Sequence, residues 1–343
     1  MSRPSATGRV PVVTLTGHLG AGKTTLLNHL LRHPGARVGV VVNDFGAVNV
    51  DAGLVTGQVD EPASIAGGCL CCLPDAGGLD DALEKLTHPR LGLDVVIVEA
   101  SGIADPLTLA RMIRFSGVER VRPGGVVDVV DAVEHFGTVD RGGDAPARYA
   151  VTSLVVVNKT DRLPAREGER TLARIEARVH ERNPAAQVVR TAYGRVDPVL
   201  VYDAASAEDP PDQLPLAALL RDGREHDHEH ADAVTVTAAG PVGPGRLVDL
   251  LEDPPPGAYR IKGRVAVDTG RSLRGYVVNV VGRSVHVISR RVDDAHGAGE
   301  LVAIGMHLDV GQVRKRLERA LEPPTRSDAH GFARLQRYRR LSD

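Results

Sequence analysis

Residues 17–25 read GHLGAGKTT, and no other stretch of this chain constrains its fold as strongly. An apolar run at 10–16 (VPVVTLT), rich in β-branched residues, precedes it and reads as a buried strand. Residues 26–31 (LLNHLL) follow with the spacing of a helix packed on a sheet. The pattern G-x-x-x-x-G-K-T, from Gly17 to Thr24, thus lies in the strand–loop–helix context that a phosphate-binding loop requires. A glycine turn before an ordinary helix is the plainer reading, and the agreement of pattern with context argues against it. Gly17, Gly20, Ala21, Gly22 and Thr25 supply a backbone that wraps a phosphate chain, with amides at the helix start aimed at the anion. Lys23 is placed to reach the β and γ phosphates, and the Thr24 hydroxyl to ligate magnesium.

The rest of the chain supports a sheet around this loop. Strands are expected at 36–42, 94–99, 125–133, 153–158 and 187–191, with helices at 77–87, 106–116 and 164–182. Strands alternating with helices predict an α/β fold, a P-loop NTPase with a mostly parallel sheet and helices on both faces. The pattern breaks near residue 202. Residues 203–232, rich in Ala, Asp, Pro and His, read as a linker. Beyond it, strands are expected at 234–237, 258–267, 274–281, 284–289 and 300–304, and helices at 244–252 and 309–321. Gly282-Arg283 suits a tight hairpin. The expected organisation is a P-loop domain over 1–202, a linker over 203–232, a smaller α+β C-terminal domain over 233–325 and a polar, partly ordered Arg-rich tail over 326–343.

Two strand ends carry further chemistry. Residues 158–161 read NKTD. After a strand, and downstream of a phosphate loop, N-K-x-D is a guanine reader. The Asp161 carboxylate can accept from the guanine N1–H and exocyclic amine, donors that adenine does not offer in that arrangement. Asn158 completes the motif, and the Lys159 stem can pack over the base. Thr191-Ala-Tyr-Gly194 falls where such a fold closes over the base. Glu99-Ala-Ser-Gly102 follows the central strand. Glu99 there can hold the magnesium shell or orient attacking water, and the Gly102 amide can meet the γ-phosphate. Asp44 and Asp51 lie where a loop sensing the nucleotide belongs, and either could touch magnesium.

The chain has only three cysteines, Cys69, Cys71 and Cys72. Such spacing does not fit one helical face, but a loop led by glycines can wrap three thiolates around one soft ion. Three sulfurs are one short of a closed structural zinc site, which suggests a site that loads and unloads. Zinc, Cu(I) and Co(II) are the candidates. A redox pair of Cys69 and Cys72 is the alternative. His226 to His230 adds three histidines in an acidic run, read equally as solvated linker or weak metal capture.

Composition limits the rest. The net charge of −2 gives no global pull toward nucleic acid or an acidic membrane. No apolar run approaches the length of a membrane span, and residues 1–9 lack a signal-peptide pattern. The expectation is a cytoplasmic protein with no membrane association. Arginine greatly outnumbers lysine, and two of the few lysines, Lys23 and Lys159, fall in the nucleotide motifs.

With the phosphate loop, the glycine-led C-x-C-C, E-x-S-G and N-K-T-D in this order, the chain resembles the CobW family of P-loop GTPases. These are metal-handling proteins related to the nickel GTPases that mature urease and hydrogenase. Asn43-Asp-Phe-Gly46 is similar to the family's N-E-F-G, and residues 99–106 match its E-x-S-G-x-A-D-P. Asn183-Pro184 and Asp197-Pro198 fall where the family often has such pairs. Residues 260–263 resemble its R-x-K-G, and Ile304-Gly305 its late I-G. The resemblance implies a GTPase domain, a CobW-type C-terminal domain, and zinc or cobalt at Cys69, Cys71 and Cys72 for delivery to a client protein. The chain departs from the family in having Ser64 and Gly67 where E-x-x-N-G-C has its acid and Asn, Asp44 for Glu, and no Trp. The expected function is a metallochaperone that uses GTP and magnesium and carries zinc or cobalt. The alternative is an RNA- or ribosome-associated GTPase, leaning on Phe332 and Tyr338 among the tail's arginines, where a solvated terminal helix is the plainer reading. A P-loop kinase for a small metabolite conflicts with N-K-T-D.

Overall fold

The structure is a computed structural model that describes residues 9–32, 36–43, 63–65, 77–100, 105–202, 230–270, 272–290, 299–324 and 328–342. It divides into two compact units, 1–230 and 231–343.

The first unit is built on strands β1 (Val10–Gly17), β2 (Val38–Asn43), β3 (Ala63–Ile65), β4 (Val95–Glu99), β5 (Val121–Asp131), β6 (Leu154–Asn158) and β7 (Gln187–Arg190). They form one sheet in the order β3-β2-β4-β1-β5-β6-β7. Every pairing within it is parallel. Its helices among the described residues are α1 (Lys23–Leu31), α2 (Gly77–Leu86), α3 (Pro106–Arg114), α4 (His135–Thr138), α5 (Gly168–Arg182) and α6 (Pro198–Val201). Parallel strands covered on both faces read as unbroken apolar runs, which is why β4 and β6 are buried at every position. Val12, Val96 and Val98 pack with Leu83 of α2 and Leu109 of α3. Val130, Val155 and Val157 pack with Leu172 and Ile175 of α5. The alternate residues Val13, Leu15, Val127 and Val129 point to the opposite face and are equally buried. The carboxyl ends of β1, β4, β5 and β6 therefore bring Gly17, Glu99, Asp131 and Asn158 to one edge of the sheet.

The second unit is antiparallel. Strands β8 (Asp232–Thr237), β9 (Ala258–Asp268), β10 (Leu273–Val281), β11 (Ser284–Arg290) and β12 (Glu300–Gly305) take the order β11-β10-β9-β12-β8. Helices α7 (Pro244–Glu252), α8 (Val310–Leu321) and α9 (Ala329–Ser342) share one core with one sheet face, joining Leu247, Val313, Leu317 and Leu335 to Val236, Val278 and Leu301. Val281 pairs with Ser284, so Gly282-Arg283 is the whole hairpin connection.

Several features differ from the sequence reading. β5 starts at Val121, because a register shift between Val12 and Val13 lets the strand run through Pro123-Gly124. The tail expected to be partly ordered contains helix α9. Arg334 reaches Asp249 at 2.7 Å and Glu252 at 2.5 Å, and the Arg274 guanidinium lies 5.6 Å from the Phe332 ring centre. The Ser342 hydroxyl oxygen accepts from Val287 N of strand β11 at 2.9 Å. Among the described residues, no helix is long and apolar enough to cross a membrane.

Candidate functional site

The loop between β1 and α1 is held from below and from the side. Below it, Thr16 and Asp128 are register partners, and the Thr16 hydroxyl donates to Asp128 Oδ1 at 2.9 Å. Arg148 closes on the same fully buried carboxylate at 2.8 and 2.6 Å. At the side, Asn158 Nδ2 donates to the Ala21 carbonyl at 2.9 Å. Gly22 has φ +105°, and a Cβ built there would lie 2.3 Å from Asn158 Nδ2. Only glycine fits both the dihedral and that approach. Gly22 is also the N-cap of α1, which has no side-chain cap. A helix start without a side-chain cap is a place where backbone amides can meet an anion.

Lys23 is buried, and its ammonium donates to the Gly17 carbonyl at 3.1 Å. The Thr24 hydroxyl donates to Glu99 Oε1 at 3.1 Å. Glu99 is only 3 % exposed, at the end of β4 beside β1. Hydroxyl and carboxylate oxygens are the donor set of a hard cation. Gly20 and Thr25 are exposed, and Ala21 is buried.

At the other end, β6 finishes at Asn158, opposite Asp131 of β5. Asn158 is a two-way brace. Besides holding Ala21, its Oδ1 accepts from Gly194 N at 2.9 Å. Thr160 N and Thr160 Oγ1 both donate to the Thr191 carbonyl, at 3.2 and 3.1 Å. Residues 191–194 are thereby tied to 158–160. Gly194 has φ +65°, and a Cβ there would fall 2.8 Å from Leu26 N of α1. The Lys159 ammonium sits 2.6 Å from Asp131 Oδ2. Asp161 is exposed at the same sheet edge, and Tyr193 is 60 % exposed.

The structure thus brings together Gly17, Ala21, Gly22, Lys23, Thr24, Glu99, Asn158 and Lys159. Asp44, Asp51, Cys69, Cys71, Cys72 and Gly102 lie outside the described residues, as do residues 226–229 of the histidine run. His230 is described, with Nδ1 3.6 Å from Asp197. Among the described residues, no group of His, Cys, Asp and Glu is arranged to hold a metal. The sequence reading did not give Asp131 a role. The available signal was an acid ending the strand next to the one that carries Lys159.

The family model described as CobW/HypB/UreG, nucleotide-binding domain, matches residues 11–190. The model described as cobalamin synthesis protein cobW C-terminal domain matches residues 231–321. A protein named zinc chaperone CobW from Pseudomonas aeruginosa is 30% identical over 91% of this chain and 92% of its own length. Zinc chaperone YjiA from Escherichia coli is 32% identical over 57% of this chain and 61% of its own. The crystal structure of Zn(II)-bound YjiA GTPase from E. coli superposes with a TM-score of 0.42 at 21% identity, covering 92% of this chain and 99% of that one. With one model on each unit and a relative of this identity along nearly its whole length, the chain belongs to the CobW/HypB/UreG family.

Proposed function

We propose that this chain is a GTP-hydrolysing metallochaperone that carries zinc as its cargo on Cys69, Cys71 and Cys72 and passes it to a client protein that requires the metal. The observation that supports the enzymatic half most is the 3.1 Å contact between the Thr24 hydroxyl and Glu99 at the phosphate loop. Thr24 and Glu99 would hold magnesium, directly or through its water shell, with Asp44 as a further candidate. The ion supplies charge neutralisation at the phosphates. Lys23 would orient the β and γ phosphates, and the Gly102 amide would meet the γ-phosphate. The alternative role for Glu99 is to orient the attacking water. Asp161 would read guanine while Asn158 holds the phosphate loop and the base-side loop at a fixed separation.

Two relatives named as zinc chaperones support zinc as the cargo. Cobalt is the alternative cargo, since thiolates accept both. A cytoplasmic setting keeps the three thiols reduced and ready to bind. The RNA-associated alternative leans on the tail, where Arg334 is already held by Asp249 and Glu252 within its own unit.

Two measurements test the reading. Phosphate release from GTP should be slowed strongly by Glu99→Gln, and an unchanged rate would remove Glu99 from the chemistry. Zinc and cobalt are titrated against a competing chelator without nucleotide, with GDP, and with GTP and magnesium. By linkage, a nucleotide that tightens metal binding is tightened by metal to the same factor. Equal metal affinity in all three states would sink the coupling of nucleotide to cargo. Replacing Cys69, Cys71 and Cys72 together should abolish tight binding. Retained affinity would move the site to residues 226–230.

A further inference from the structure

The base end of the site contains a side chain that the N-K-x-D motif does not. Asp131 ends β5 and uses both carboxylate oxygens. Oδ1 accepts from Val133 N at 2.9 Å and Glu134 N at 3.3 Å. Oδ2 accepts from the Lys159 ammonium at 2.6 Å. The side chains of Asp131 and Lys159 are 11% and 23% exposed, so the pair is mostly shielded from water. Lys159 has φ +63°, a backbone state that a residue with a side chain keeps only where its surroundings hold it. Burial pushes the Asp131 carboxyl up, but the Lys159 hydrogen bond and the two amides outweigh it and hold the group below the usual carboxylate range. It is ionised at neutral pH.

We infer that Asp131 is a positioning residue for guanine: by anchoring the Lys159 ammonium, it lays the lysine stem along the plane of the base. The inference rests on the guanine-nucleotide reading given above. A lysine stem samples many rotamers when its end is loose, and fixing it beforehand lowers the ordering cost of binding. The fixed stem presents methylene groups to the ring face while the charge stays paired. A purely structural ion pair is the competing account. The turn at 131–134 already has its two amides on Oδ1, and Oδ2 faces the lysine of the base motif.

A double-mutant cycle on the full chain separates the two accounts. Dissociation constants for fluorescent GDP and ADP analogues are measured for the wild type, Asp131→Asn, Lys159→Met and the double variant. Asparagine retains an oxygen for the two amides and loses the charge that holds the lysine. Asp131→Asn should weaken GDP binding about tenfold, as expected for a charged hydrogen bond. It should cost nothing more once Lys159 is methionine. Equal losses in both backgrounds would overturn the inference, because a structural cap acts without the lysine. If Asp131→Asn does not fold, Asp131→Ser, whose hydroxyl can also cap amides, enters the same cycle. A wild type that binds the ADP analogue as tightly as the GDP analogue would overturn the guanine reading itself. A clear guanine preference without coupling would overturn only the role of Asp131.

Discussion

Helices α1 and α3 follow neighbouring strands, β1 and β4, and start in opposite ways. α3 is closed by its own sequence. Asp105 accepts from Leu107 N at 3.2 Å, from Thr108 N at 3.1 Å and from the Thr108 hydroxyl at 2.7 Å, and Pro106 takes the first helical position. α1 starts at a left-handed glycine with no side-chain cap. A side-chain oxygen at that point would compete with a phosphate for the same amides. The contrast shows how one sheet edge separates scaffold from site. One helix start is capped by its own side chain, and the other has no side-chain cap.

Four experiments can break or sharpen that contrast. The largest effect is expected from Lys23→Ala, which should raise the dissociation constant for GTP by about a hundredfold, about 2.7 kcal/mol, through loss of a charged phosphate contact. Fluorescent-nucleotide displacement would measure it, and an unchanged affinity would mean that α1 is not the phosphate end. Next is Gly22→Ala, which puts a Cβ 2.3 Å from the Asn158 amide at φ +105°. It should cost about 2 kcal/mol of stability in urea unfolding, from backbone strain and crowding together. Asp105→Ala should cost about 1 kcal/mol, the usual loss of a helix cap, with GTP affinity unchanged. If it weakened GTP as much as Lys23→Ala does, the two helix starts would not be functionally distinct.

The smallest effect concerns pH. Burial works to raise the Asp105 carboxyl, but the Thr108 hydroxyl and the two amides hold it below its ordinary value. Its folded pKa is thus lower than its unfolded one. The unfolded chain binds the proton first, so the cap's contribution is present above the unfolded pKa, about 3.9. It is lost as pH falls from there through the folded value. Melting temperatures of the wild type and Asp105→Asn should therefore converge toward acid. A gap that stays constant would detach the cap from this carboxylate.

Much of the first unit was readable from sequence because pattern and context coincide. The loop at 17–25 and N-K-T-D at 158–161 each need a preceding strand, and β1 and β6 supply it. The two lysines of those motifs make the polar contacts at the two ends of the site, with Gly17 and with Asp131. The parallel sheet was readable because its strands are unbroken apolar runs. β3 was not, since three residues leave no period to detect. The docking of α9, read from sequence as a solvated helix, was missed for a different reason. Its sequence is polar, and its docking depends on Asp249, Glu252 and Val287, which lie far away in the chain. The partnership of Asp131 with Lys159 depends on strand order, which neither residue's local sequence encodes.

The Ser342 contact has a consequence for handling the protein. β11 is a sheet edge, where free N–H groups invite another strand to add on. The last turn of α9 takes up one of those groups, Val287 N, and so acts as a stopper on the edge. A truncation that removes this turn would uncork the edge and leave Val287 N open to a strand from another molecule.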